Sequence, residues 1–135
     1  IYRARLWVQP GFDADNYGAQ PLALELTYHR DFTAEAIAKR SLEEMRRVGS
    51  FTPQQATRWQ QALQAALPDV KSGDRLLGIH QPGVGAVFKM AGRVVGEVPD
   101  AEFSRLFFGI WLSPQTSEPG LRQELLAATR TAGQP

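Results

Sequence analysis

The stretch from Gly73 to Pro114, GDRLLGIHQPGVGAVFKMAGRVVGEVPDAEFSRLFFGIWLSP, constrains the fold of this chain more than any other. Strand patterns at about Arg75–Gln81, Val84–Met90 and Arg93–Val98 are separated by Pro82-Gly83 and Ala91-Gly92, dipeptides that turn a hairpin. Asp100 then caps a helix whose main stripe is Phe103, Leu106, Phe107 and Ile110. Phe108, Trp111 and Leu112 widen that stripe until little polar surface remains, which predicts a central helix buried on several sides. A block of strands followed by a buried helix requires a sheet with helices gathered on one face.

The rest of the chain agrees with that layout. Ile1 to Val8 alternates, with Tyr2, Ala4, Leu6 and Val8 on one face and Ile1, Arg3, Arg5 and Trp7 on the other. Phe12 to Pro21 reads as a loop, and Leu22, Leu24, Leu26 and Tyr28 form one face of a second strand. The period then becomes helical. Thr33 is placed to cap a helix with the stripe Ala34, Ile37, Ala38, Ser41, Met45 and Val48, stopped at Gly49. Thr52, Pro53 and Gln55 form a capping box with Pro at the first helical position, and Phe51 precedes them as a packing partner for the first turn. That helix carries Ala56, Trp59, Leu63, Ala66 and Leu67 until Pro68 stops it. Ser117 is expected to cap a short last helix with Leu121, Leu125 and Ala128 inward, and the tail from Thr129 to Pro135 to fray. The order ββ-αα-βββ-αα is α+β: an antiparallel sheet with a helix layer on one face, one domain over 1–128, and a tail over 129–135.

Composition removes several classes. Fifteen basic and fourteen acidic residues leave a net charge of +1, no field for gathering nucleic acid. The basic set is twelve Arg and three Lys, a skew that more often reflects genome composition than phosphate binding. There is no Cys, so neither disulfide nor thiolate chemistry exists. No apolar run reaches the roughly 20 residues of a membrane-spanning helix. The chain opens on Ile1 in a strand-like pattern, as a processed or trimmed product would, with any export signal upstream.

Catalytic and metal motifs are sparse. His29 and His80 are the only histidines, and both are expected at sheet margins, partly solvated. A metal site would need both with a carboxylate, so no metal and no cofactor is expected. Ser41, Ser50, Ser104, Ser113 and Ser117 have capping, turn or packing explanations. The glycines at 78, 83, 85, 92 and 96 punctuate a hairpin rather than open a helix, which a phosphate cradle would require. Arg3 and Arg5 project from one strand face with Trp7, where two guanidinium groups beside an aromatic ring could hold a carboxylate or phenolate. Tyr28 and Arg30, at the end of the neighbouring strand, could add a second donor set. The competing reading is a solvated face on which Arg3 and Arg5 pair with Glu25.

From Leu22 to Leu126 the chain resembles the chalcone isomerase-like proteins, in particular their small bacterial exported branch. The resemblance is carried by LELTYHRD, by the helix junction GSFTPQQATRW, by the run GDRLLGIHQPGVGAVFKMAGRVVGEV and by FFGIWLSP, in that order. It implies an open-faced β-sandwich and an exported, periplasmic location. It also implies one of two activities: cyclisation of a chalcone, or fatty-acid binding by non-catalytic members with Arg and Tyr on the carboxylate. Counting back from Gly49 puts the family's catalytic Tyr near Thr33 and its neighbouring Asn near Arg40, and neither residue matches. The family's strand Arg precedes the IYRARLWV segment, and its helix Thr or Ser falls around Asp100 to Ser104. The leading expectation is therefore a non-catalytic domain binding a fatty acid or other apolar carboxylate between sheet and helices. An isomerase or intramolecular lyase acting on a conjugated carbonyl, and a protein-interaction module with no small ligand, are the alternatives.

Overall fold

The computed structural model describes residues 2–131. Ile1 and the end of the tail, 132–135, lie outside the described residues. Five strands, β1 (Tyr2–Val8), β2 (Leu22–Tyr28), β3 (Arg75–Gln81), β4 (Gly85–Met90) and β5 (Arg93–Val98), form one sheet in chain order. Every neighbouring pair is antiparallel. Among the described residues four α-helices accompany the sheet: α1 (Ala34–Val48), α2 (Pro53–Ala66), α3 (Ala101–Leu112) and α4 (Pro119–Ala127). This is the expected α+β, open-faced arrangement.

Strand parity decides which residues meet the helices. Even-numbered positions of β1 to β3 point inward, and register stacks them in rows. Leu6, Leu24, Gly78, Phe88 and Gly96 form one row; Val8, Leu22, His80, Ala86 and Val98 form the next. Against these rows lies α3, whose Phe103, Leu106, Phe107, Phe108, Trp111 and Leu112 are all buried. The Phe107 ring contacts those of Phe88, Phe103, Phe108 and Trp111 at centroid distances of 5.2 to 5.5 Å. Edge-on and offset aromatic packing of this kind stabilises a core beyond its buried area.

The start signals are used as read. Thr33 accepts from the Ala36 N–H, Thr52 and Gln55 close a capping box, and Asp100 accepts from the Phe103 N–H. Phe51 packs on Trp59 with ring centroids 5.2 Å apart. The β4–β5 hairpin turns through Ala91 and Gly92, both at positive φ (51° and 75°), as a two-residue turn with the twist of its strands requires.

Several local expectations are corrected. The Phe12–Pro21 loop contains a 3₁₀ segment, Ala14–Ala19, opened by the Asp13 side chain accepting from the Asp15 N–H. Strand β4 begins at Gly85, leaving Val84 in the turn. Gly49 ends α1 in an extended conformation, not a left-handed one. A side chain there would run into the Leu106 methyl at 2.8 Å, so close packing selects glycine. Ser117 does not cap α4; Glu118 holds the N-cap position without a side-chain bond, and Pro119 starts the helix. Leu125 is buried there, Leu121 half-buried and Ala128 exposed. In the described part of the tail, the Arg130 N–H donates to the Leu6 carbonyl at 2.9 Å and its carbonyl accepts from the Val8 N–H at 2.7 Å. His80 is 2% exposed and not partly solvated. Its Nδ1 lies 2.6 Å from Ser104 Oγ and its Nε2 2.8 Å from the Gly18 carbonyl.

Candidate functional site

The helix layer does not close completely on the sheet. At the end of the sheet where β1 starts and β2 stops, a cavity of about 500 Å³ remains between the sheet, α1 and α3. Its floor is Tyr2, Leu26, Tyr28 and Leu76 from the strands. Ala36, Ile37, Arg40, Ser41 and Glu44 of α1 form one wall, at the i, i+3, i+4 spacing that places them on one helix face. Phe107, Ile110 and Trp111 of α3 form another, with Phe32, Leu67, Ser117 and Glu118 at the margins. Most of this lining is apolar; its polar groups are the two tyrosine hydroxyls, Arg30, Arg40, Glu44, Glu118 and two serines.

The tyrosines stand edge to face, with ring centroids 6.0 Å apart. Tyr2 accepts a hydrogen bond from Trp111 Nε1 at 2.8 Å, and its own hydroxyl hydrogen has no acceptor among the described residues. The Tyr28 hydroxyl has no hydrogen-bond partner among the described residues, although the residue is only 5% exposed. Burial raises the pKa of both phenols above the usual value of 10; the nearby Tyr2 adds to the effect on Tyr28. Both are therefore neutral O–H donors at physiological pH, facing an apolar space.

The charged groups sit around them. Arg30 lies over the Phe32 ring, 5.1 Å from its centroid, and Phe32 in turn packs on Tyr28 at 5.6 Å. Arg40 pairs with Glu44 at 2.7 Å on the cavity wall, and with Glu43 at 3.4 Å. The arrangement can hold an extended apolar body along Leu26, Ile37, Leu76 and Phe107, with a polar end directed to hydroxyl and guanidinium donors.

The residues expected to bind a ligand separate into two groups. Tyr28 and Arg30 line the cavity. Arg3, Arg5 and Trp7 lie on the opposite, open face of the sheet, in register with Thr27, Glu25 and Ala23, and do not reach it. Arg5 stands across from Glu25, but no ion pair joins Arg3 or Arg5 to Glu25 among the described residues. Sequence reasoning missed Tyr2, Arg40 and Glu44. Tyr2 could have been found by parity, since it shares a face with the buried Leu6 and Val8. Among the described residues, no group of three or more His, Asp or Glu is placed to hold a metal ion, and no helix is long and apolar enough to cross a membrane.

An antiparallel sheet roofed on one face by helices, with an apolar cavity held between the layers, defines an open-faced sandwich with an internal cavity. The chain belongs to the chalcone isomerase-like family, whose model matches residues 2–127. An uncharacterized protein of Haemophilus influenzae is 27% identical over 131 residues, 97% of this chain. The chain spans 63% of that relative's length. Among solved structures, a fatty-acid binding protein of Arabidopsis thaliana superposes with a TM-score of 0.70 over 93% of this chain and 76% of its own, at 10% identity. That likeness is one of fold.

Proposed function

We propose that this domain binds a fatty acid or another apolar carboxylate in the cavity between sheet and helices, without transforming it. The observation that carries the reading is the pair of neutral, unpaired phenol donors, Tyr2 and Tyr28, at the polar end of a largely apolar space of about 500 Å³. Ligand sites for small molecules are apolar, concave and a few hundred Å³ in size, with a small number of polar groups that fix orientation. The fold shared with the Arabidopsis fatty-acid binding protein supports the same reading. Binding is favoured over isomerisation by the state of Thr33 and Arg40. Thr33 is engaged as the cap of α1, and Arg40 is engaged by two glutamates. Neither of these two residues is therefore free for general acid–base work.

Mass spectrometry of a solvent extract of the purified protein, with displacement of a fluorescent fatty acid, tests the proposal. Co-purified lipid and saturable displacement are expected; an empty protein that displaces nothing would overturn it. Acceleration of chalcone cyclisation over buffer would overturn the non-catalytic part. The proposal extends to the exported location implied by the family resemblance, which fractionation of the source cells tests.

A further inference from the structure

Glu44 has no evident reason to face the cavity if that space only receives carboxylates. Its side chain is 12% exposed, it lines the wall, and it lies 2.7 Å from Arg40. Arg40 is the cation on the α1 wall, and Glu43 also reaches it, at 3.4 Å. A carboxylate arriving at Arg40 therefore meets a guanidinium already holding an anion. Two acids, Glu44 and Glu118, line the same space as two bases, Arg30 and Arg40, so the cavity has no cationic excess to attract it.

Resting on the binding reading above, we propose that Glu44 acts as an internal surrogate for the ligand carboxylate. It occupies Arg40 in the empty domain and must be exchanged when an anionic head group binds. The cavity then discriminates by head group. A ligand with a neutral acceptor, such as an ester, takes its hydrogen bonds from the Tyr2 and Tyr28 hydroxyls and leaves the Arg40–Glu44 pair closed. A ligand whose free carboxylate is held at Arg40, rather than at Arg30 over Phe32, opens that pair, and its affinity is lowered by the cost of exchange. The Arg40 side chain is 70% exposed, so the pair is partly screened and the cost is modest.

The experiment compares hexadecanoate and its methyl ester, each displacing a fluorescent probe, on the wild-type domain and on Glu44→Gln and Glu44→Ala. The first replacement keeps shape while removing charge; the second covers the case in which the amide forms new bonds. Thermal unfolding confirms that each variant is folded. Hexadecanoate is expected to bind about three- to fivefold more tightly to both variants, the range of a partly exposed ion pair, while the ester changes by less than about twofold. Most of the gain should vanish in an Arg40→Gln background, because the exchange needs both partners. Wild-type binding that Glu44→Gln and Glu44→Ala leave unchanged or weaken would overturn the proposal alone. A gain that persists in full without Arg40 would also overturn it, since Glu44 would then act only through its charge. Failure of every form to bind either ligand would overturn the binding reading and this proposal together.

Discussion

The indole N–H of Trp111 donates to the Tyr2 hydroxyl at 2.8 Å, joining the first strand to the buried helix α3 across 109 residues of sequence. The bond forms at the cavity wall, where few other groups could satisfy a largely buried indole nitrogen. Tyr2→Phe removes the acceptor and keeps the ring. A net hydrogen bond contributes about 1 kcal/mol, and a buried donor left unpaired costs about 1–3 kcal/mol. Tyr2→Phe should therefore lower the unfolding free energy by about 1–2 kcal/mol in urea titration, with the m-value unchanged. A loss below the error of the measurement would mean that water replaces the phenol.

Gly96 shows where the sheet's last strand is held. A Cβ built on it would sit against the Ala66 carbonyl oxygen and Cα, backbone atoms at the end of α2. Backbone cannot swing aside as a flexible side chain can, so even one methyl forces the helix away from β5. Gly96→Ala should cost about 1–3 kcal/mol or prevent soluble folding. Gly120, in the first turn of α4, has nothing within 4 Å of its virtual Cβ. Gly120→Ala should be neutral or raise stability by about 0.5–1 kcal/mol, through helix propensity and a less free unfolded chain. Chemical denaturation of the two variants side by side checks both signs.

What could be read from the sequence followed locality. The cap of α2 rests on Thr52, Pro53 and Gln55, three residues within one turn, and it formed as expected. The hairpin turns and the Asp100 cap are equally local. The candidate site was half legible for a different reason. Strand alternation put Tyr2 with Leu6 and Val8, but Arg3, Arg5 and Trp7 were singled out by their chemistry, with a solvated face as the competing reading. Their register with Thr27, Glu25 and Ala23 puts them on the open face. The cavity draws on residues from Tyr2 to Glu118, and no local pattern announces a space left unfilled. His80 was misjudged for the same reason, because its partners Ser104 and Gly18 lie 24 and 62 residues away.

The His80 geometry also sets a pH dependence. The Gly18 carbonyl can only accept, so Nε2 carries a hydrogen and, in the neutral ring, Nδ1 accepts from the Ser104 hydroxyl. Burial lowers the His80 pKa below the ordinary 6.5, with the Gly18 bond opposing it. The unfolded chain then binds more protons than the folded one between the two values. Stability from this group is fully present above pH 6.5 and is lost as pH falls through the lower folded value. Urea midpoints should decline from pH 7.5 to pH 5 more in the wild type than in His80→Gln. An NMR titration should place the His80 midpoint below 6.5. A midpoint at or above that value would contradict the assignment of burial as the controlling effect.

Tyr28→Phe is expected to separate the proposed ligand binding from folding. Its hydroxyl has no partner among the described residues, so Tyr28→Phe deletes no hydrogen bond of the folded chain. The ring contacts to Tyr2 and Phe32, at 6.0 and 5.6 Å, are kept by phenylalanine. Unfolding free energy should change by less than about 0.5 kcal/mol, as for substitutions that break no packing or hydrogen bond. Ligand affinity should respond differently. A neutral phenol donating to a bound head group in an apolar surround contributes about 1–1.5 kcal/mol, or up to about tenfold in Kd. Stability measured by urea titration and affinity measured by fatty-acid displacement on the same variant therefore give opposite answers if Tyr28 serves the ligand. Equal affinity of Tyr28→Phe and the wild type would remove Tyr28 from the site, and a matching loss of stability would make its role structural.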